Sequence, residues 1–151
     1  MARAQFSPAA ARLARGTSLA GMRSAGNRLA AGSAAADLCC VLLFVVIGRA
    51  NHHDGGSLGG LVSTLWPFAA GTLIGLAAAR FWRRPTALLP TGVIVWLCTV
   101  AFGMILRVVA GQGTAVALIV VALAFLGLFQ LGWRVAWHWL RAARQRASVS
   151  G

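Results

Sequence analysis

The chain has 151 residues, 59% of them hydrophobic, with fourteen arginines, no lysine, only two acidic residues and a formal net charge of +12. A soluble domain of this length needs more charge to cover its surface. A nucleic-acid-binding domain would gather its basic residues into a stripe on a folded face, whereas these flank apolar runs, which excludes nucleic acid as a partner and points to lipid.

The first segment, 1–33, contains no acid and is rich in Arg, Ala, Ser and Gly. It is expected to be a mostly disordered cytoplasmic tail with transient amphipathic helix at the membrane surface. An organellar targeting presequence has a similar composition, but no apolar core long enough for a secretory signal precedes Asp37. Four apolar stretches follow, at about 34–50, 58–79, 91–110 and 115–133. About 20 residues of helix cross ~30 Å of hydrocarbon, and backbone groups in lipid must be satisfied within the segment, so these are transmembrane helices. Short connections make them antiparallel neighbours. The expected fold is all-α, a polytopic four-helix up-down bundle over 34–140 with a basic cytoplasmic tail over 141–151.

Twelve arginines lie in the first segment, in the connection after the second span and at the end; only Arg49 and Arg107 flank the other two connections. By the positive-inside rule both termini are cytoplasmic, in a cell membrane crossed several times. The arginines then face anionic lipid headgroups. Trp82, Trp133, Trp137 and Trp139 fall at the cytoplasmic interface, while Trp66 and Trp96 are expected to pack within the bundle.

Pro67, mid-span, cannot donate to the carbonyl of Ser63, so a kink is expected, with Ser63 and Thr64 placed to satisfy the freed backbone. Gly71 and Gly75, continued by Ala79, form a small-residue face that allows close helix approach, within the chain or across a homodimer. A faint echo links Leu38-Cys39-x-Val41…Arg49 with Leu97-Cys98-x-Val100…Arg107; a parallel repeat or chance similarity would each produce it. Cys39, Cys40 and Cys98 all lie in apolar runs and read as small buried residues without a disulfide framework.

Polar residues inside the spans are the candidate sites. Asp37 and Arg49 are 12 residues apart, about 18 Å of helix at ~1.5 Å per residue, so they cannot both lie outside ~30 Å of hydrocarbon unless the bilayer thins. Arginine can snorkel and aspartate cannot, which makes Asp37 the immersed member. A bare carboxylate there costs ~2.5–3.5 kcal/mol, so it is protonated or paired, with Arg80, Arg84 and Arg134 as partners on the same side. A proton- or cation-binding carboxylate, a structural ion pair and a helix cap all remain open. Arg107 either snorkels outward or meets Asp54, and Gln130 is placed to hydrogen-bond across helices. His52, His53 and Asp54 form an outer-loop cluster. Adjacent side chains diverge and His138 lies across the membrane, so a solvated turn fits better than a metal site. No nucleophile–base set, carboxylate pair or phosphate loop is visible, so neither an enzyme nor a cofactor is expected.

At Asp37…Phe44…Gly48-Arg49…His52, Trp66-Pro67-Phe68, Pro90-Thr91-Gly92, Trp96, Thr99, Gly103-Met104, Arg107, Gly111-Gln112-Gly113 and Gly132-Trp133-Arg134, the chain resembles the family called domain of unknown function 3054. The resemblance covers roughly residues 35 to 135. It implies a small four-helix prokaryotic membrane protein and places Asp37, Arg49, His52 and Arg107 in a shared pattern, without bringing an activity.

Three functions compete. A small transporter would bind a coupling cation at Asp37, similar in plan to small multidrug exporters, and would need a homodimer because a lone four-span bundle encloses little cavity. A non-catalytic assembly protein would bind other membrane proteins through its Gly/Ala faces. A lipid-modifying enzyme has the least support, for want of catalytic groups.

Overall fold

The computed structural model describes residues 8–50 and 57–149, and within them the architecture is entirely helical: α1 (Pro8–Ala50), α2 (Leu58–Ala78), α3 (Val93–Val109) and α4 (Val116–Val149). Each contributes to a segment long and apolar enough to cross a membrane, α3 together with the turn Leu88–Gly92 before it. Helices consecutive in sequence pack against each other, and α1 also meets α4 to close the bundle.

Two helices are longer than the spans they contain. α1 has 43 residues and α4 has 34, about 64 and 51 Å against ~30 Å of hydrocarbon. The expectation of a mostly disordered tail over 1–33 is thus corrected from Pro8 onward, and the basic segment beyond 140 is helical as far as Val149. The cause is local: Ala, Leu and Arg have high helix propensity, Pro8 suits the first helical position, and no second proline interrupts the run. Residues 21–29 are nonetheless exposed along the whole stretch, and packing begins at Ala30 and Ser33.

Local chemistry sets the helix ends. Ser57 caps α2, its Oγ accepting from the Gly60 amide at 3.2 Å. α2 ends in a Schellman motif, with the Arg80 amide donating to the Ala77 carbonyl and the Phe81 amide to the Leu76 carbonyl. The left-handed position there is Arg80 (φ 48°), a site glycine usually fills. α3 ends in the same way at Gly111 (φ 69°), where the Gly111 and Gln112 amides donate to the carbonyls of Val108 and Arg107. Ahead of α3, Leu88–Gly92 forms an irregular turn; Leu89 is extended (φ −116°, ψ 135°), as a residue before proline prefers.

The α2–α3 contact is the tightest in the bundle. A Cβ on Gly71 would lie 2.9 Å from the Thr99 carbonyl oxygen, and one on Gly75 would lie 2.9 Å from the Val95 Cα. The small-residue face of α2 is therefore filled by α3 of the same chain. Phe68, next to Pro67, lies over Gly103 and packs edge-on against Phe44, with ring centroids 5.2 Å apart. These rings join Val41, Val45, Val100, Met104, Ala122 and Leu126 in the core.

Two side-chain expectations need correcting. Trp66 does not pack within the bundle but faces outward at 42% exposure, because α3 already occupies the glycine face of α2. Trp96 does pack inward, over Gly127, and its indole N–H donates to the Leu123 carbonyl. Ser63 and Thr64 do not satisfy the carbonyl that Pro67 leaves free: both hydroxyls donate to the Gly60 carbonyl instead. The Gln112 side-chain amide takes that role, donating to the Ser63 carbonyl at 2.7 Å.

Candidate functional sites at the two ends of the bundle

The bundle has an arginine-rich end, which holds the start of span 1, the α2–α3 connection and the exit of α4, and an opposite end that holds Arg49 and Arg107. Polar groups are gathered differently at each.

At the arginine-rich end Asp37 and Arg134 form a bidentate ion pair, Nη1–Oδ1 and Nη2–Oδ2 both 2.7 Å, with each side chain wholly buried. Of the three arginines expected as partners, Arg134 is the one engaged. The Trp133 indole N–H also donates to Oδ1 at 3.0 Å, and the Arg134 guanidinium lies 4.5 Å from the Trp133 ring centroid. Both carboxylate oxygens thus accept charge-assisted hydrogen bonds, two on Oδ1 and one on Oδ2, the arrangement a buried charge needs. Gly92 makes room for this: a Cβ there would sit 2.9 Å from the Arg134 Cδ. His138 Nε2 lies 2.9 Å from the Thr86 carbonyl and ties α4 to the α2–α3 connection.

A ladder of polar groups continues inward. Arg134 Nη1 donates to the Gln130 carbonyl, one turn earlier on α4, and the Gln130 side-chain amide reaches the Thr99 hydroxyl at 3.4 Å. Thr99 in turn meets Thr72 at 3.0 Å. The two hydroxyls also lie within 2.7 and 2.8 Å of the Val95 and Phe68 carbonyls, so two protons serve three contacts. Gln130 Oε1 and Arg134 Nε are buried without a hydrogen-bond partner among the described residues. Thr72 and Thr99 were not anticipated as a site. Neutral hydroxyls in apolar helices usually return their proton to their own backbone, and the pairing across α2 and α3 appears only once the register of the two helices is fixed.

At the opposite end lies a cavity of about 790 Å³, lined by parts of α1, α2 and α4, by Arg107 of α3 and by the α3–α4 loop. Its floor is apolar, with Phe44, Val45 and Phe68, and its mouth carries Arg49, Arg107 and Gln112. A pocket of this size falls within the roughly 300–1,000 Å³ usual for small-molecule sites. The cavity is open on one side, where Gly113, Ala115 and Ala117 of its lining are exposed. Arg107 Nη1 donates to the Gln112 Oε1 at 3.0 Å, and the same Gln112 holds the Ser63 carbonyl, so one amide positions the arginine and mends the proline break. Arg107 Nε is buried without a hydrogen-bond partner among the described residues. Arg49 lies across Gly60, where a Cβ would sit 2.6 Å from its Nη2, and Nη1 reaches the Thr64 hydroxyl at 3.5 Å. His52, His53 and Asp54 lie outside the described residues, so the expected contact of Arg107 with Asp54 does too. Gln112 was missed as a site residue; its signal was an amide in a tight loop facing a helix with an unsatisfied carbonyl.

The two ends connect through Phe68. It lines the cavity on one side, and its carbonyl accepts from Thr72, the last rung of the ladder, on the other. Asp37, Arg134, Gln130, Thr99 and Thr72 therefore form one buried polar system. Arg49, Arg107 and Gln112 form a second, separated from the first by aromatic rings.

Residues 34–137 match the family described as protein of unknown function (DUF3054). The match covers all four spans and both polar systems, and the chain belongs to that family. No curated protein and no solved structure matches the chain.

Proposed function

We propose that this member of the DUF3054 family of four-span membrane proteins is a small transporter that takes up an anion through the cavity at the Arg49–Arg107 end, and that this end faces away from the cytoplasm. The observation that carries the reading is Arg107, whose buried Nε has no hydrogen-bond partner among the described residues and which, with Arg49, lines a cavity of about 790 Å³. Guanidinium groups in a site of reduced dielectric attract an anion far more strongly than they would in water. The Phe44–Phe68 pair acts as the plug beneath the pocket. Pro67 weakens the helix beside that plug, and the Thr72–Thr99 hydroxyl pair beyond it offers hydrogen bonds to a passing anion. Asp37 is then a structural residue and not a coupling-cation site, since its two oxygens are already held by Arg134 and Trp133.

The orientation follows from twelve arginines against two. The protruding, exposed ends of α1 and α4 carry Arg23, Arg28, Arg141, Arg144 and Arg146, well placed for anionic headgroups of a cell membrane. Assembly with other membrane proteins through the Gly71–Gly75 face has less support, because that face already meets α3.

The test is uptake of radiolabelled benzenesulfonate, an anion at every working pH, into proteoliposomes. Wild-type protein should exceed empty vesicles, and Arg107→Gln should reduce uptake at least tenfold while eluting and unfolding like the wild type. Wild-type vesicles no faster than empty ones would count against transport.

A further inference from the structure

The cavity has a shape that a small inorganic anion does not need. Its charged groups sit at one end, at Arg49, Arg107 and Gln112, while the remainder reaches down to the rings of Phe44 and Phe68. One side is bounded by Gly48 of α1 and by Ala117 and Val121 of α4, all exposed on the bundle surface that faces lipid. Deeper in the bundle that same α1–α4 seam is closed: Phe44 packs against Phe125 with centroids 5.6 Å apart, and Asp37 grips Arg134 beyond them. The seam is therefore pinned at the arginine-rich end and parted at the other. It is lined by cations where the outer headgroups would lie and by apolar atoms at acyl-chain depth.

Resting on the anion-transport reading, we infer that the cargo is a single-chain amphiphile with an anionic head, which passes sideways from the outer leaflet through the gap between α1 and α4. The head lodges at Arg107 and Arg49, and the chain lies against Phe44, Val45 and Phe68. Size fits a single chain. A cavity of about 790 Å³ holds roughly two dozen non-hydrogen atoms at ~30 Å³ each, which matches one acyl chain and its head group. Polarity favours an amphiphile over a compact ion, because a small hydrated anion would gain nothing from the apolar floor, whereas a chain arriving from the acyl region of the outer leaflet stays in apolar surroundings there. Gly48 keeps the gap open: a Cβ there meets nothing within 4 Å, so a larger side chain would stand in the gap without striking the fold.

The experiment is binding of radiolabelled decanesulfonate to the full chain in zwitterionic-lipid nanodiscs, with empty discs subtracted. Competitors are methanesulfonate, decanol and phosphatidylglycerol. Decanesulfonate should bind saturably, at least tenfold tighter than either methanesulfonate or decanol competes. Arg107→Gln and Gly48→Phe should each weaken it tenfold or more, the first by removing the head contact and the second by filling the gap. Equal competition by methanesulfonate would overturn the single-chain cargo and leave an anion transporter standing. Equal competition by decanol would make the pocket merely apolar and sink both readings. Displacement by phosphatidylglycerol at matching concentration would replace the single-chain cargo with a two-chain lipid. Absence of saturable binding would remove the cargo and the transport site together.

Discussion

The two ends of the bundle handle buried charge in opposite ways. At the arginine-rich end, one aspartate and one arginine meet at 2.7 Å through both oxygens, with a tryptophan N–H as a third donor and no exposure of either side chain. At the opposite end, Arg107 is held by a neutral amide, and a cavity stands beside it. A matched pair cancels its own field and closes the space around it. An arginine propped by an amide keeps its field, and the space around it remains available. On the proposed reading, the carboxylate that stands out in the sequence belongs to the architecture, and the less conspicuous arginine belongs to the site.

That contrast can be broken or sharpened in order of expected effect. Asp37→Ala leaves Arg134 buried and unpaired and should destabilise the fold by about 3–5 kcal/mol, read as a large drop in the detergent-solubilised unfolding midpoint. The double substitution Asp37→Leu with Arg134→Met should recover most of that loss, since replacing a whole buried pair with apolar groups is often neutral. A double variant no more stable than the single one would show that the site depends on charge for more than pairing. Next comes Gly71→Val, which forces a Cβ to within 2.9 Å of the Thr99 carbonyl oxygen; overpacking of this kind should cost roughly 1–3 kcal/mol in the same assay.

Gln112→Leu should cost about 1 kcal/mol, because the Ser63 carbonyl loses its donor at a partly wet helix end. The same change should loosen Arg107 and weaken benzenesulfonate uptake several-fold, an effect a purely structural amide would not produce. The smallest effect belongs to Gly132→Ala. A Cβ there meets nothing within 4 Å, so only helix propensity changes, and stability in the unfolding assay should rise by about 0.5–1 kcal/mol.

Much of this was legible in the residues. Four apolar runs gave four helices, and the distance between Asp37 and Arg49 singled out the aspartate as a residue that needs a partner, which Arg134 supplies. The partner was not legible: Arg80, Arg84 and Arg134 all lie on the right side, and the choice among them depends on α4 turning its face with Gln130 and Arg134 inward, 97 residues away in sequence. The freed carbonyl of Ser63 was predictable from Pro67, but its donor was not, because Gln112 lies 49 residues further along. The cavity was least visible, since it is assembled from all four helices and a loop, none of which carries a motif of its own. Helix over the first arginine-rich segment was missed because its composition reads as polar and low in apolar content, while its alanines favour helix even where, as over residues 21–29, the side chains are exposed.

The most direct measurement compares benzenesulfonate uptake into proteoliposomes by Arg107→Gln and by the Asp37→Leu, Arg134→Met double variant, each first shown to be folded. A division between a structural end and a working end predicts that uptake falls at least tenfold in the first and stays within about twofold of wild type in the second. Uptake that survives loss of Arg107 but vanishes with the buried pair would contradict it and return the transport site to Asp37.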